Sequence, residues 1–273
     1  MGPWRERIYL AGGLAPRYIV GALPEGAQAH VGTADVDLII GLALDDQTPE
    51  TYRTLETNLK RSGSKQSGPS FRWRREVEGV SVIVEFLCET EEVEPGQIFR
   101  PRGEGTGSGL GAINVRGAHL VPDDFLEVEL EGERLDRGGR SKVAVRVANL
   151  LPYIVLKAFA FQDRHENKDA YDLVFCILNF GAGPATAGKA AARSPVAGEP
   201  VVREALQLVA ERFETTEHDG PVAYASFLAL PGDAEQVARL RRDAVAEVRE
   251  FLRSFRACNL QRLKKHVERP RDA

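Results

Sequence analysis

Apolar positions recur in two different registers along the chain, and the change comes near its middle. Ahead of residue 149 they form short blocks with the spacing of strands. "RIYLAGGLAPRYIVGAL" reads as a short strand or helix entering a glycine turn at Gly12-Gly13. "HVGTADVDLIIGL" predicts a buried strand from Val36 to Leu42, and "FRWRREVEGVSVIVEFLCE" predicts a hairpin turning at Glu78-Gly79 and ending in a buried strand, Val80 to Cys88. "FLEVELEGERL" alternates like a further strand. Between these blocks, residues 49–61 predict a helix, with Pro49 in its first turn and Tyr52, Leu55 and Leu59 at helical spacing. "RPRGEGTGSGLGAINVRG" reads as a glycine-rich loop.

From Asn149 onward the period becomes helical. "NLLPYIVLKAFAFQDR" and "KDAYDLVFCILNF" are two helical segments on either side of His165-Glu166-Asn167, and "VVREALQLVAERF" is another. Val237, Leu240, Ala244, Val248, Phe251 and Phe255 follow steps of three and four, the mark of an amphipathic helix. Residues 181–200, rich in Gly, Ala and Pro, predict a flexible loop. The class expected is therefore mixed α/β (α+β): a sheet-bearing core over 1–148 and a helical part over 149–273.

Composition adds limits. At 273 residues, 43% hydrophobic and 28% charged, the chain has the make-up of an ordinary globular protein. Lys157 interrupts its longest apolar run, Leu150 to Phe161, so no membrane span is expected, and "MGPWRER" does not read as a signal peptide. Three scattered cysteines, Cys88, Cys176 and Cys258, read as core thiols in a reducing cytoplasm. The net charge of −4 argues against a generic nucleic-acid binder, yet Arg239 to Arg271 holds eleven Lys or Arg against four acids. That run is either a solvated helix face or a surface for a polyanion.

The chemistry starts at Asp35 and Asp37. Residues two apart on a strand share a face, so Thr33, Asp35 and Asp37 lie on one side and Val36, Leu38 and Ile40 on the other. Two carboxylates about 7 Å apart repel, and burying either without compensation costs several kcal/mol. Either both acids are solvated at a sheet edge, or a divalent cation such as Mg²⁺ offsets their charge, with nucleotide phosphates as further ligands. Backbone N–H groups at Gly12-Gly13 could approach such a triphosphate closely. Glu85 is a third strand acid, open to metal binding or to pairing with an arginine of "RWRR". Lys157, alone among apolar residues, needs an anion unless it reaches solvent: a substrate phosphate, or one of Asp169 and Asp172, which share a helix face. Asp169 could equally serve the helix N-terminus. Gly183 to Lys189 imitates a phosphate-binding loop, but Ala190 stands where Ser or Thr must bind Mg²⁺. Arg72, Trp73, Arg74 and Arg75 suit either RNA stacking or a strand with a core Trp and solvated Arg.

Taken together, Gly12-Gly13, Thr33-Ala34-Asp35-Val36-Asp37, Glu85 and Lys157 with "RHENKDAYDL" resemble the DNA polymerase β-like nucleotidyltransferases, and more closely the AbiEii/MenT nucleotidyltransferase toxins of bacterial toxin–antitoxin systems. The resemblance spans roughly residues 8–180. It implies a nucleotidyltransferase-type mixed sheet and transfer of NMP from an NTP, with Mg²⁺ or Mn²⁺, to the 3′ end of tRNA. It also implies a toxin neutralised by a cognate antitoxin. By the same resemblance Asp35 and Asp37 bind metal, Glu85 is a weaker metal candidate, Lys157 contacts nucleotide phosphates, and Asp169 or Asp172 is an active-site acid. Gly12, Gly13 and Thr33 would line the nucleotide, and in some toxins of this family a Ser or Thr placed like Thr33 is phosphorylated by the antitoxin. Two other readings remain open: the same chemistry on a small molecule or a protein side chain, and a non-catalytic nucleotide- or partner-binding module.

Overall fold

The computed structural model of the chain describes residues 6–40, 49–100, 109–133 and 138–267. It divides into two compact units. One comprises the chain up to Tyr18 with Val31–Asn149; the other comprises Ile19–His30 with the chain from Leu150 on. The chain therefore crosses between units three times, and the short helix α1 (Pro16–Val20) carries the first crossing.

The first unit is a mixed sheet. Its strands are β1 (Ile8–Ala11), β2 (Asp35–Ile40), β3 (Lys65–Gln66), β4 (Arg72–Val77), β5 (Val80–Cys88), β6 (Ile98–Phe99), β7 (Ala112–Asn114), β8 (Phe125–Glu133) and β9 (Arg140–Ala148). The main path runs β3-β4-β5-β2-β1-β9-β8, and β7 joins β5 to β6. β2 is antiparallel to β1 and parallel to β5, so Leu38 sits beside Leu10 on one side and Phe86 on the other. Helix α2 (Pro49–Arg61) places Leu55 and Leu59 over that apolar face, against Ile8, Ile40, Trp73 and Phe86. Alternation then forces Asp35, Asp37, Glu85, Arg72 and Arg74 onto the opposite face. The mixed reading of "RWRR" holds: Trp73 is 1% exposed in the core, while its neighbours Arg72 and Arg74 form ion pairs. At the β4–β5 turn Glu78 and Gly79 both have positive φ, 51° and 80°, the backbone that matches strand twist in a two-residue hairpin. Gly41 and Leu42, at the end of the expected strand, and Pro101 to Ser108 of the expected glycine loop lie outside the described residues.

The second unit is helical: α3 (Leu150–Arg164), α4 (Asn167–Asn179), α5 (Pro184–Ala191), α6 (Pro200–Arg212), α7 (Asp219–Leu228) and α8 (Ala234–Val267). The loop expected over 181–200 is not one. It contains α5, and Ala187, Ala191, Ala192, Val196 and Ala197 are buried. The small residues that suggested mobility instead permit close helix packing: a Cβ on Gly188 would lie 2.4 Å from the Phe251 carbonyl oxygen of α8. The same fact removes the phosphate-loop imitation, since Gly188 sits inside a helix. Ala244, Val248, Phe251 and Phe255 form the buried stripe of α8 that the periodicity predicts. Cys88 and Cys176 are core thiols, whereas Cys258 on α8 is only half-buried. Among the described residues no helix is long and apolar enough to cross a membrane.

Candidate functional site

Two groups of the predicted residues come together, one in each unit. In the sheet unit the organising position is Gly12, in the 3-10 turn Gly12–Leu14 that follows β1. Its φ is +61°, and a Cβ built there would lie 1.6 Å from Asp37 Oδ2. Glycine is thus required twice, by the backbone and because the Asp37 carboxylate occupies the space of its side chain. Gly13, next in the turn, is buried. Asp37 pairs in register with Ala11 on β1 and with Glu85 on β5, and Asp35 with Ile83. Thr33 marks the start of β2: its Oγ1 accepts a hydrogen bond from the Asp35 N–H at 3.4 Å.

Glu85 is engaged by Arg72, whose Nε donates to Glu85 Oε1 at 2.6 Å. Of the two roles open to Glu85, the structure displays the arginine pairing. Asp35 and Asp37 stay half-buried on the face of the sheet opposite α2. Among the described residues no group of three His, Cys, Asp or Glu side chains gathers as a ready metal site. Mg²⁺ needs no such group, since it is commonly held by one or two carboxylates plus substrate phosphates and water. The donor set of Asp35 and Asp37 fits that pattern.

In the helical unit the organising position is Lys157, in the middle of α3 and 6% exposed. It does not reach solvent. Its Nζ donates to Asp169 Oδ1 at 2.9 Å and lies 2.7 Å from Asp172 Oδ2. The choice between the two aspartates dissolves, because α4 presents both from one face. A reversal at His165 (φ 52°) separates α3 from α4 and lets the two helices pack together. Further cations complete the cluster. Arg164 clasps Asp169 with two hydrogen bonds, 2.7 and 2.8 Å, and Lys168 reaches both oxygens of Asp172 at 2.9 and 3.0 Å. His30 Nε2 lies 2.8 Å from Asp172 Oδ1, its ring stacked on Tyr171 and edge-on to Phe175.

Burial alone would raise both carboxyl pKa values. For Asp172 the His30 hydrogen bond and the charges of Lys157 and Lys168 prevail and hold it well below the usual carboxylate range. For Asp169 the hydrogen bond from Arg164 and the charge of Lys157 also prevail over burial and hold the carboxyl below its ordinary value. Burial likewise works against the Lys157 ammonium, but the two aspartates overcome it and raise its pKa above the ordinary lysine value.

His30, Arg164 and Lys168 are members that the sequence reading did not single out. Lys168 and Asp172 stand at i, i+4 on one helix, a spacing that could have exposed the pair. His30 lies 142 positions from Asp172 and carries no local signal. The helical unit also holds a cavity of about 590 Å³ beside Thr216, Asp233 and Arg241, and a groove of about 410 Å³ beside Phe213, Arg249 and Arg253. Neither is lined by a predicted site residue. Comparison with family models, with characterised proteins and with solved structures finds no significant match.

Proposed function

We propose that the protein is a metal-dependent nucleotidyltransferase that moves an NMP from an NTP to a hydroxyl acceptor and releases pyrophosphate. The observation that carries this reading is the seating of the Asp37 carboxylate against Gly12, with Asp35 two residues earlier on the same face. A turn that admits only glycine beside a pair of partly solvated carboxylates is the arrangement expected where a divalent cation and a phosphate chain are bound. Mg²⁺ or Mn²⁺ at Asp35 and Asp37 would supply charge neutralisation of the triphosphate and activation of the attacking hydroxyl. Asp35 and Asp37, on one face of β2, would hold that ion, with Cα–H, not a side chain, at Gly12. Lys157, by the resemblance a phosphate contact, is grouped with Arg164 and Lys168 through the aspartates the three share.

The acceptor proposed is the tRNA 3′ end, with an antitoxin protein as the regulating partner. Exposed Arg239, Arg242, Arg249, Arg253 and Arg256 along α8 support a polyanionic acceptor. A second reading, a binding module without catalysis, is favoured by one feature: the Lys157 ammonium is already satisfied by two carboxylates, as in a purely structural cluster.

Labelled-NTP transfer to total tRNA, to small acceptors and to a protein panel separates these readings. The expected outcome is label on RNA that disappears with EDTA and in Asp35→Ala. Label on another acceptor would move the substrate class. Transfer by Asp35→Ala in the presence of EDTA would refute the metal-dependent reading.

A further inference from the structure

The β8–β9 hairpin carries a feature independent of the candidate site. β8 is the last strand of the sheet, and among the described residues no strand pairs with its outer edge. Its two faces differ sharply in character. Leu126, Val128 and Leu130 pair with Val147, Val145 and Val143 of β9 on the side that continues the apolar core face. Val143 there is 43% exposed, and Leu126, Val128, Leu130 and Val145 are half-buried. The other side presents Glu127, Glu129, Glu131 and Glu133 in a row. On the inner side of that row Lys142 pairs with Glu129 at 2.8 Å, Arg140 with Glu131 at 3.1 Å, and Arg146 stands 3.8 Å from Glu127. Even so, the Glu127 and Glu129 side chains remain 61% and 64% exposed.

An edge strand offers a row of backbone donors and acceptors to any further strand. Charge decides which strand pairs with this one. A second copy joined across the edge in one continuous antiparallel sheet would set glutamates beside glutamates, which disfavours it. An incoming strand that alternates apolar residues with Lys or Arg meets both faces correctly: its apolar side extends the Val143/Leu130 surface, and its cations meet the outer side of the glutamate row. We infer that the β8 edge is a docking site for an extended, alternately basic and apolar segment of a partner protein, bound by strand addition.

The test uses the full-length protein with two short peptides, one alternating valine with lysine and the other valine with glutamate. At low salt the lysine peptide should bind about tenfold more tightly, the sum of a few cross-strand charge pairs, and should slow hydrogen exchange at β8 amides. In a Glu127→Gln, Glu129→Gln, Glu131→Gln variant that preference should vanish while the melting temperature holds. Glu129→Gln alone gives a smaller version of the same readout if the triple variant unfolds. Equal or absent binding of the two peptides, or protection appearing on α8 instead of β8, overturns the inference. So does a wild-type dimer in sedimentation whose β8 amides are protected without peptide.

Discussion

The sheet unit and the helical unit each bring a pair of aspartates together, and they treat the pair in opposite ways. Asp35 and Asp37 stand half-buried on the face of the sheet opposite α2, with Gly12 against one of them. Asp169 and Asp172 are 1% and 0% exposed and surrounded by Lys157, Arg164, Lys168 and His30. A buried carboxylate persists as an anion only where cations and donors replace the lost water. The second pair is held by the protein's own cations, whereas the first lies half-buried on a strand of the sheet.

The strongest way to break this contrast is to remove one acid from each pair. Asp172→Ala leaves Lys157 buried beside a single carboxylate and removes the acid that Lys168 and His30 reach. It should cost about 3–5 kcal/mol in urea unfolding, the range for breaking a buried ion pair. Asp35→Ala should shift stability by less than about 0.5 kcal/mol, as substitutions away from buried networks do, while abolishing nucleotide transfer. Equal losses in the two variants would erase the distinction.

The pH dependence sharpens the same point. Asp169 and Asp172 have folded pKa values below their unfolded ones, so their contribution is present above about pH 4 and is lost as pH falls through the depressed folded values. Lys157 is raised, so its contribution is present below about pH 10.4 and is lost as pH climbs through the raised folded value. Thermal melts should show a plateau between these limits, and Asp172→Asn should flatten the acid limb. An acid limb unchanged in that variant would assign it to other carboxylates.

Gly12→Ala should have an intermediate effect. Its methyl would displace the Asp37 carboxylate and its φ is strained, together about 1–3 kcal/mol. Adding Asp37→Gly should recover the steric part and leave the φ penalty, a non-additivity that a double-mutant cycle reads directly. A small effect is expected for Glu85→Gln, which loses a partly solvated pair with Arg72 worth under about 1 kcal/mol. If Glu85 is also a metal ligand, the same variant should raise the Mg²⁺ concentration needed for transfer; an unchanged requirement would leave the carboxylate as the partner of Arg72 alone.

The sequence by itself determined the elements whose signal is short-range. The Glu78-Gly79 hairpin, α2, α3, α4 and the stripe of α8 follow from side-chain periods of two or 3.6 and from turn chemistry, all contained within a few residues. It also narrowed Lys157 to two fates, an anion partner or a reach to solvent, because one charge in a long apolar segment must be compensated wherever the segment packs. Tertiary structure alone decided which anion, and it chose two. Partners distant in sequence are selected by how elements pack: His30 finds Asp172 across 142 positions, and Arg72 reaches Glu85 only because β4 and β5 pair in that register. The glycine- and alanine-rich stretch over 181–200 shows the limit most clearly. Small residues carry little local preference, so nothing nearby distinguishes a loop from a helix, and the close approach of α8 at Gly188 settled the matter.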